Sequence, residues 1–442
     1  MGRHLAARLA GWGRCPVVAG IERRSEDLET LTRDAPLSRG AGRSYGDASL
    51  PASSDSFVAG TVLADRMIDF DPGTLTLTAE AGLSLDTICR QFPVRGYFVP
   101  VSPGTRFVTL GGMVAADVHG KNHHSAGTIG AYVRSLRIRV GTGDVVSCSR
   151  TQHADLFWAT VGGMGLTGHI LEVSVRLDPV PSPWIIEERR RVDDIDEMVA
   201  ALADASARWP MTAGWIDGLA DGAAFGRGML YCGRWAEPQE SPSHAPLPGR
   251  TVNVPLDAPD ALLSSFTVGR FNWLTARRQR RRVARHTIPF WQFFYPLDSV
   301  GHWHRLYGKR GFVQYQCVLP SEVGVTPARR LLETLRRLGG SPFLCVIKDC
   351  GEEGNGLLSF PRPGVSLAID MPVDGRTQAV IDGLNDLVIE NGGRIYLAKD
   401  ALTRPEHFRR MEPRLERFLA VRRAWDPEGR IRSAQSQRLY GW

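Results

Sequence analysis

The sequence predicts an α+β fold with two domains. Its 442 residues are too many for one ordinary hydrophobic core, so two domains are expected from length alone. Segments that alternate apolar and polar residues, as half-buried strands do, occur beside segments with leucines at helical spacing. Three prolines within residues 179–183 stop both helix and sheet, and we place the boundary between domains 1–178 and 179–393 there.

Three strand patterns occupy the first region. Residues 74–78 alternate leucine with threonine, and residues 171–177 alternate leucine and valine with polar side chains. Residues 136–140 alternate apolar residues with arginine and run into a Gly-Thr-Gly-Asp turn at 141–144, after which two valines begin a second strand. This last pattern predicts a β-hairpin.

The second region contains a long irregular segment and two helices. Residues 236–262 carry six prolines and little periodicity, which is typical of a functional or mobile loop. Leucines at helical spacing predict a helix over 331–338 that ends at two glycines. A second apolar face predicts a helix over 377–388 that ends at Asn391 and the glycines after it.

Composition indicates a soluble globular protein with a mild basic excess, 43% hydrophobic and 23% charged with a net charge of +7. The charge suits phosphates, nucleic acid or an acidic membrane face without choosing among them. No stretch approaches the roughly 18–20 apolar residues needed to cross a bilayer, and the N-terminus shows no signal peptide. The seven cysteines include no C-x-x-C pair, which argues against a disulfide framework or a zinc site and favours a reducing, cytoplasmic compartment.

Glycine-rich loops are the main functional signal. Residues 39–47 hold three glycines that can turn successive N–H groups toward one anion, as a pyrophosphate requires, although a structural turn explains them too. Tyr45 stands where a G-x-G-x-x-G fingerprint needs its third glycine, so a Rossmann fold is not indicated. Glycine-rich blocks follow at 103–127 and 157–169, and three such blocks suit a long ligand laid across several loops.

The histidines of the second block raise the alternative of a metal site. His119, His123 and His124 lie close to Asp117, and an H-x-x-x-H pair on a helix can bind zinc. The surrounding glycines argue against a helix, and no H-E-x-x-H motif is present. We therefore expect hydrogen bonds to a polar or anionic ligand and no metal.

These glycine-rich blocks, in this order, resemble the vanillyl-alcohol oxidase superfamily of flavoproteins. Within it, the chain is similar to the decaprenylphosphoryl-β-D-ribose 2′-oxidase family, most specifically in its His-Gly-Lys-Asn-His-His run. The resemblance covers nearly the whole chain and implies an FAD-binding domain of the PCMH type at 1–178, completed by 394–442, with a substrate domain on an antiparallel sheet at 179–393. It rests on residues 42–47, 119–127, 157–163, 294–298, 311–316, 359–361 and 396–400.

The resemblance also implies site residues. The FAD contacts fall on Arg39, Gly40, Ala41, Gly42, Arg43, Ser44, Tyr45, Gly46, Gly104, Thr109, Leu110, Gly111, Gly112, Asp117, Val118, His119, Asn122, Ser125, Gly127, Ile170 and Tyr396. The substrate-site residues fall on Tyr45, His119, Lys121, Trp215, Gln314, Gln316, Lys348 and Lys399.

Three positions depart from the patterns of these families. Arg43 stands where many superfamily members carry the histidine that links the flavin, and arginine cannot make that bond, so we expect dissociable FAD. Ala368 replaces an active-site cysteine, and Ser366 stands where asparagine is common. Both changes leave a smaller or less polar substrate pocket and put the substrate's identity in doubt.

Oxidation of an alcohol by flavin needs a base for the hydroxyl proton and a C–H bond aimed at flavin N5. Lys399 and Tyr45 are the candidate catalytic bases. Lys399 needs a pKa below its usual value, about 10.4, which burial beside Lys348 would supply. If a substrate phosphate lies nearby, Lys399 serves instead as a charged anchor. Gln314 and Gln316 share one face of a strand and need polar partners if buried.

The resemblance implies an FAD-dependent enzyme that oxidises a secondary alcohol of a sugar to a ketone, at C2 of a polyprenyl-phosphoryl pentose. A separate short-chain reductase would then complete an epimerisation. Two alternatives stay open: a soluble sugar, alditol or aldonolactone oxidase of the same superfamily, and a non-catalytic basic scaffold that retains a flavin fold.

A basic run at 277–285 contains six arginines and is flanked by aromatic residues. It has three interpretations, namely a solvated face, a surface that rests on anionic lipid, or a nucleic-acid contact. No known nucleic-acid-binding fold appears, so we expect no nucleic acid. The lipid interpretation suits a polyprenyl-phosphate substrate and predicts peripheral attachment to a membrane.

Overall fold

A computed structural model describes residues 3–54, 56–259, 262–278, 282–324 and 326–442. Its strands, numbered in chain order, are β1 (Arg3–Ala10), β2 (Val17–Arg24), β3 (Ser38–Arg39), β4 (Phe57–Gly60), β5 (Met67–Asp71), β6 (Thr76–Glu80), β7 (Tyr97–Phe98), β8 (Val133–Val140), β9 (Val145–Ser149), β10 (Gly168–Arg176), β11 (Asp178–Pro179), β12 (Trp184–Val192), β13 (Met211–Ile216), β14 (Gly228–Trp235), β15 (Val252–Asn253), β16 (Val283–Pro289), β17 (Val300–Gly301), β18 (Phe312–Pro320), β19 (Leu344–Cys350), β20 (Gly364–Pro372) and β21 (Arg394–Ile395).

The α-helices are numbered in the same way and alternate with the strands. They are α1 (Leu28–Leu31), α2 (Leu85–Gln91), α3 (Leu110–Ala115), α4 (His123–Ala126), α5 (Ala154–Thr160), α6 (Ile195–Ser206), α7 (Ser265–Arg278), α8 (Phe290–Phe294), α9 (Thr326–Arg337), α10 (Thr377–Glu390), α11 (Pro405–Met411), α12 (Leu415–Trp425) and α13 (Ala434–Tyr440).

Two sheets form the first part of the chain, in the orders β1-β2-β4-β3 and β5-β6-β10-β8-β9. The predicted strands at 74–78, 136–140 and 171–177 are confirmed as β6, β8 and β10. The hairpin is confirmed as well, because β8 and β9 pair in antiparallel register. In each of these strands the apolar residues of the alternation face the core.

An eight-stranded antiparallel sheet dominates the second part, in the order β16-β12-β14-β13-β19-β20-β18-β21. The α+β class and the antiparallel sheet are therefore confirmed. Pro179 nevertheless ends the two-residue strand β11, a position at a sheet edge that proline tolerates. The last strand, β21, comes from the C-terminal segment expected to complete the first domain, and the domain boundaries themselves stay a prediction.

Both predicted helices of the second part are confirmed, as α9 and α10. α9 buries Leu331, Leu332 and Leu335, and its terminating glycine, Gly339, adopts φ +80°. The glycine that follows α10, Gly392, adopts φ +66°. Positive φ is the conformation for which glycine is favoured at a helix end. No described helix is long and apolar enough to cross a bilayer.

The segment at 236–262 has little regular structure in its described residues, as predicted. β15 within it pairs with β17, and Ala258 donates its N–H to the carbonyl of Arg305 at 2.9 Å. The segment thus lies against the chain between β16 and β18, which forms one rim of the cavity described next.

Candidate active site

A cavity of about 520 Å³ lies where the glycine-rich loops meet the large sheet. Loops at 40–45 and 103–119 form one wall. Strands β18, β19 and β20, with the turn after β21, form the opposite wall through Gln314, Gln316, Lys348, Ala368 and Lys399. The cavity is therefore lined by both parts of the fold.

The first glycine loop is held tightly at the cavity wall. A side chain at Gly40 would collide with that of Thr109, and Gly42 adopts φ +64°. The loop is fixed at its far end, because Tyr45 donates its N–H to the carbonyl of Ala398 at 2.9 Å. Glycine backbone is thus exposed to the cavity, which suits close approach of a pyrophosphate.

His119 is a buried hydrogen-bond donor without an acceptor among the described residues. Its Nε2 lies 3.0 Å from Nε2 of Gln316, whose amide is also 3.2 Å from Oγ of Ser366. Burial, aided by the charge of Lys348, holds the pKa of His119 well below its usual value. The neutral ring accepts at Nε2, so Nδ1 carries the proton, and Nδ1 has no partner. The site therefore calls for an acceptor, as a flavin or a sugar would provide.

Lys399 is one of the residues that line the cavity. Its Nζ lies 3.6 Å from the ring centroid of Tyr45. Burial lowers the pKa of Lys399, the charge of Lys348 lowers it further, and the nearby carboxylate of Asp370 opposes both. Burial also raises the pKa of Tyr45 well above its usual value, so Tyr45 is the poorer base.

Asp370 is a site residue that the sequence did not reveal. It is fully buried, pairs in register with Gln314 across β18 and β20, and accepts a hydrogen bond from that glutamine. The hydroxyl of Tyr307 lies 3.5 Å from its other oxygen, and burial raises the pKa of this carboxyl. The available signal was an aspartate inside an apolar strand, since a buried carboxylate needs polar partners.

Three expected substrate residues lie outside the described cavity wall. Lys121 directs Nζ to the carbonyl of Phe293, and burial lowers its pKa to about 7. Trp215 lies in β13 in register with Val346, a cavity residue of β19. Ser366 accepts a hydrogen bond from Gln316, which itself lines the cavity. These residues support the wall, whereas Tyr45, His119, Gln314, Gln316, Lys348, Ala368 and Lys399 form it.

The expected FAD contacts divide in the same way. Those on the described cavity wall are Gly40, Ala41, Gly42, Arg43, Ser44, Tyr45, Gly104, Thr109, Gly111, Gly112, Val118, His119, Ile170 and Tyr396. Several others anchor the loops: Arg39 donates to the carbonyl of Ala10 at 2.7 Å, and Asn122 donates to that of Pro100 at 2.8 Å. The residues that do not line it are Arg39, Gly46, Leu110, Asp117, Asn122, Ser125 and Gly127.

Asp117 ties the second glycine block to the C-terminal part. Its fully buried carboxylate accepts hydrogen bonds from the N–H of Gly130, at 2.9 Å, and from the hydroxyl of Ser359.

Within the described ranges, no three His, Cys, Asp or Glu side chains are grouped to hold a metal ion. Burial holds the pKa of His123 at about 4, which suits a hydrogen-bonding role.

Comparison with known proteins shows the family to which the chain belongs. The family described as an FAD binding domain matches residues 32–149. Decaprenylphosphoryl-β-D-ribose oxidase of Mycolicibacterium smegmatis is 35% identical over 98% of this chain and 97% of its own length. The chain belongs to this family of FAD-dependent oxidases. An uncharacterised protein of Streptomyces coelicolor is 33% identical over 78% of the chain and 96% of its own length. L-gulonolactone oxidase of Mus musculus is 28% identical over 29% of each chain.

Family membership shows the cofactor and the reaction class. The cofactor is FAD, and the protein is an FAD-dependent alcohol oxidase with the two-domain, PCMH-type α+β fold. The cavity fits this cofactor on its own evidence, because glycine backbone lines part of it and His119, which also lines it, is a buried donor without a partner among the described residues. The assignment of individual residues to FAD or to substrate stays a prediction.

FAD is expected to be held without a covalent bond. By the resemblance, Arg43 stands where the linking histidine would be, and it lines the cavity. A guanidinium that is always protonated cannot act as the nucleophile toward the flavin, as a neutral imidazole can. Acid precipitation should therefore release all the yellow colour into the supernatant, measured by visible absorbance against total flavin. Colour that remains in the pellet would reveal a covalent link at another residue.

Proposed function

We propose that the protein oxidises a secondary alcohol of a sugar to a ketone, at C2 of a polyprenyl-phosphoryl-β-D-ribose or a related pentose. The observation that carries this proposal is Lys399, a buried amine that lines the cavity beside Tyr45, Gln314 and Gln316. A base beside hydrogen-bonding amides is the arrangement that removal of a hydroxyl proton requires. The name of the mycobacterial relative supports the choice of substrate.

The chain's own residues divide the work of the reaction. Gln314, Gln316 and His119 orient the sugar by hydrogen bonds to its hydroxyls, since each lines the cavity with polar atoms. The lone pair of Lys399 takes the hydroxyl proton as the C–O double bond forms, and hydride leaves the same carbon. Bound FAD supplies the acceptor for that hydride. A ketone and a protonated Lys399 result.

Asp370 is proposed to set the pH range in which Lys399 works. The carboxylate raises the pKa of Lys399, and Lys399 acts as a base only when neutral. Asp370→Asn keeps the shape and an acceptor for Gln314 but removes the charge. The pKa of Lys399 should then fall, and the acid limb of the pH–rate profile should move to lower pH.

The measurement is the rate of flavin reduction by substrate from pH 5 to 9. Asp374→Asn is the matched control, because it removes an exposed carboxylate just after β20. An acid limb that stays in place in Asp370→Asn would show that this carboxylate does not act on the charge of Lys399.

The ketone requires a partner enzyme. A 2-keto sugar on a lipid phosphate is a reactive intermediate, and its reduction from the opposite face gives the epimer. We propose that a separate short-chain reductase consumes it. We further propose a cytoplasmic location with peripheral contact to an anionic membrane, because a polyprenyl tail keeps the substrate in the bilayer.

The decisive experiment follows flavin absorbance without oxygen. A prenylphosphoryl β-D-ribose, free ribose, an alditol and an aldonolactone should be offered separately. Bleaching by the prenylphosphoryl ribose at much lower concentration than by the others is expected. Equal or faster bleaching by a soluble sugar or lactone would favour the soluble-substrate alternative, and no bleaching by any of them would favour the non-catalytic scaffold.

A further inference from the structure

The guanidinium of Arg43 lines the cavity beside two aromatic rings and has no polar partner among the described residues. Its guanidinium carbon lies 4.1 Å from the ring centroid of Trp12 and 5.3 Å from that of Phe107. Its Nε is buried and unpaired, and no described residue makes a hydrogen bond or an ion pair with its side chain. Two aromatic rings thus position the guanidinium group, and its N–H groups have no acceptor among the described residues.

Asp298, the carboxylate whose charge acts on Arg43, already has a partner. Asp298 accepts the N–H of Arg106 at 2.9 Å, and the guanidinium of Arg106 lies 3.7 Å from the same oxygen. Arg106 in turn pairs with Asp86 at 2.5 Å. These contacts leave Arg43 as a positive group in the cavity that is only partly balanced.

Arg43 lies between the base and the rim of the cavity. On one side, Arg43 precedes Tyr45 by two residues, and Nζ of Lys399 lies 3.6 Å from the centroid of the Tyr45 ring. On the other side, Trp12 packs against Trp303 at 5.8 Å and His304 at 4.3 Å.

The rim beyond Arg43 carries apolar side chains among polar ones. Leu297, Val300 and Trp303 line the cavity there, together with Thr251, Asn253, Asp298 and His302. Val252, which pairs with Val300 across β15 and β17, is exposed to solvent, as is Leu256 on the same segment. Lys399 contacts Tyr45, Arg43 contacts Trp12, and Trp12 contacts Trp303 at the rim, so the guanidinium lies between the base and the rim.

We propose that Arg43 binds the phosphoryl group of the substrate, between a sugar at Lys399 and an apolar chain at the rim. The order of groups in a prenyl-phosphoryl sugar is the same as the order of these sites. A planar guanidinium offers two parallel N–H groups to phosphate oxygens. The glycine cradle expected for the cofactor lies at Gly40 and Thr109. Arg43 is itself among the expected FAD contacts, so retention of FAD in the Arg43 variant decides between the cofactor and the substrate. This inference rests on the proposed function, whose substrate it specifies.

The test uses the FAD-loaded protein and probes without sugar, so that it does not depend on turnover. Geranyl phosphate, geraniol and inorganic phosphate are titrated separately, and binding is followed by the visible absorbance of the flavin. Arg43→Gln should weaken geranyl phosphate by about 10–100-fold, the loss expected for a hydrogen bond to a charged group. Affinity for geraniol should not change, and Arg43→Lys should retain part of the affinity for phosphate. If Arg43→Gln also loses affinity for inorganic phosphate, Arg43 binds the phosphoryl group independently of the prenyl chain, which supports the proposal.

Arg14→Gln is the matched control. It removes an arginine of the same part of the fold whose guanidinium already donates to both carboxylate oxygens of Asp257, at 2.5 Å and 3.2 Å. Affinity for geranyl phosphate should therefore stay unchanged. Unchanged affinity in Arg43→Gln would overturn the proposal, and so would equal loss of geraniol. Loss of FAD from Arg43→Gln would assign the residue to the cofactor instead. Failure of every sugar to bleach the flavin would refute the proposed function and leave this titration interpretable.

Discussion

Lys399→Ala is expected to slow substrate-dependent flavin reduction by about 10²–10⁴-fold, the usual contribution of one positioned base. FAD should stay bound, because the glycine loops that form the cofactor end of the cavity do not depend on this side chain. The physical reason is the burial that lowers the pKa of Lys399 and makes a neutral amine available near neutral pH. Single-turnover reduction, followed without oxygen, measures the effect directly.

Lys399→Arg separates the two roles open to this lysine. Arginine keeps the charge but does not lose its proton, so it replaces an anchor and not a base. Lys309→Ala is the control, since Lys309 is exposed. Full loss in both Lys399 variants indicates a base. Retained activity in Lys399→Arg would make Lys399 an anchor for phosphate, and a wild-type rate in Lys399→Ala would remove it from the mechanism.

Local patterns predicted the elements of this fold well, because periodicity reports which face of a strand or helix is buried. The strands at 136–140 and 171–177 and both long helices follow directly from the spacing of their apolar residues. What spacing does not contain is register between distant strands. Asp370 meets Gln314 only because β18 and β20 pair as they do, although the two residues are 56 positions apart in sequence.

Lys121 shows the same limit of prediction from local sequence, here for the direction of a side chain. It follows His119 by two residues, and the resemblance places both in the substrate site. The ammonium group nevertheless contacts a carbonyl 172 residues away, at the end of α8. A side chain's direction depends on partners that the local sequence does not name, and here the partner is an unpaired helix-end carbonyl.

Substitution of the basic run should detach the protein from anionic membranes. The sequence has six arginines at 277–285, of which residues 279–281 lie outside the described structure. α7 leads into this run and exposes Phe266, Phe271 and Leu274, at 73%, 64% and 52% of their surface. Exposed apolar side chains beside positive charges are typical of a surface that rests on anionic lipid.

The described part of the run changes the variant that should be tested. Arg282 pairs with Glu197 at 2.6 Å and Arg285 with Glu188 at 2.7 Å, so these two arginines are partly neutralised. Arg282 and Arg285 are therefore left in place, and the variant replaces the other four arginines of the run. Each basic residue near an anionic bilayer contributes about 1 kcal/mol. Replacement of those four by serine should therefore weaken vesicle binding on the order of 10³-fold. They are Arg277, Arg278, Arg280 and Arg281.

Co-sedimentation with vesicles of phosphatidylserine and phosphatidylcholine measures this binding. The wild type should sediment at low salt and detach at high salt, because the attraction is screened over about 8–10 Å. The matched control replaces four exposed arginines of the C-terminal helical region, Arg409, Arg410, Arg417 and Arg423, and should still sediment. Activity of the basic-run variant should fall on a lipid-linked substrate and not on a short prenylphosphoryl analogue, since only the former must be reached at the bilayer. A wild type that ignores anionic vesicles at low salt would make the run a solvated face and would strengthen the soluble-sugar alternative.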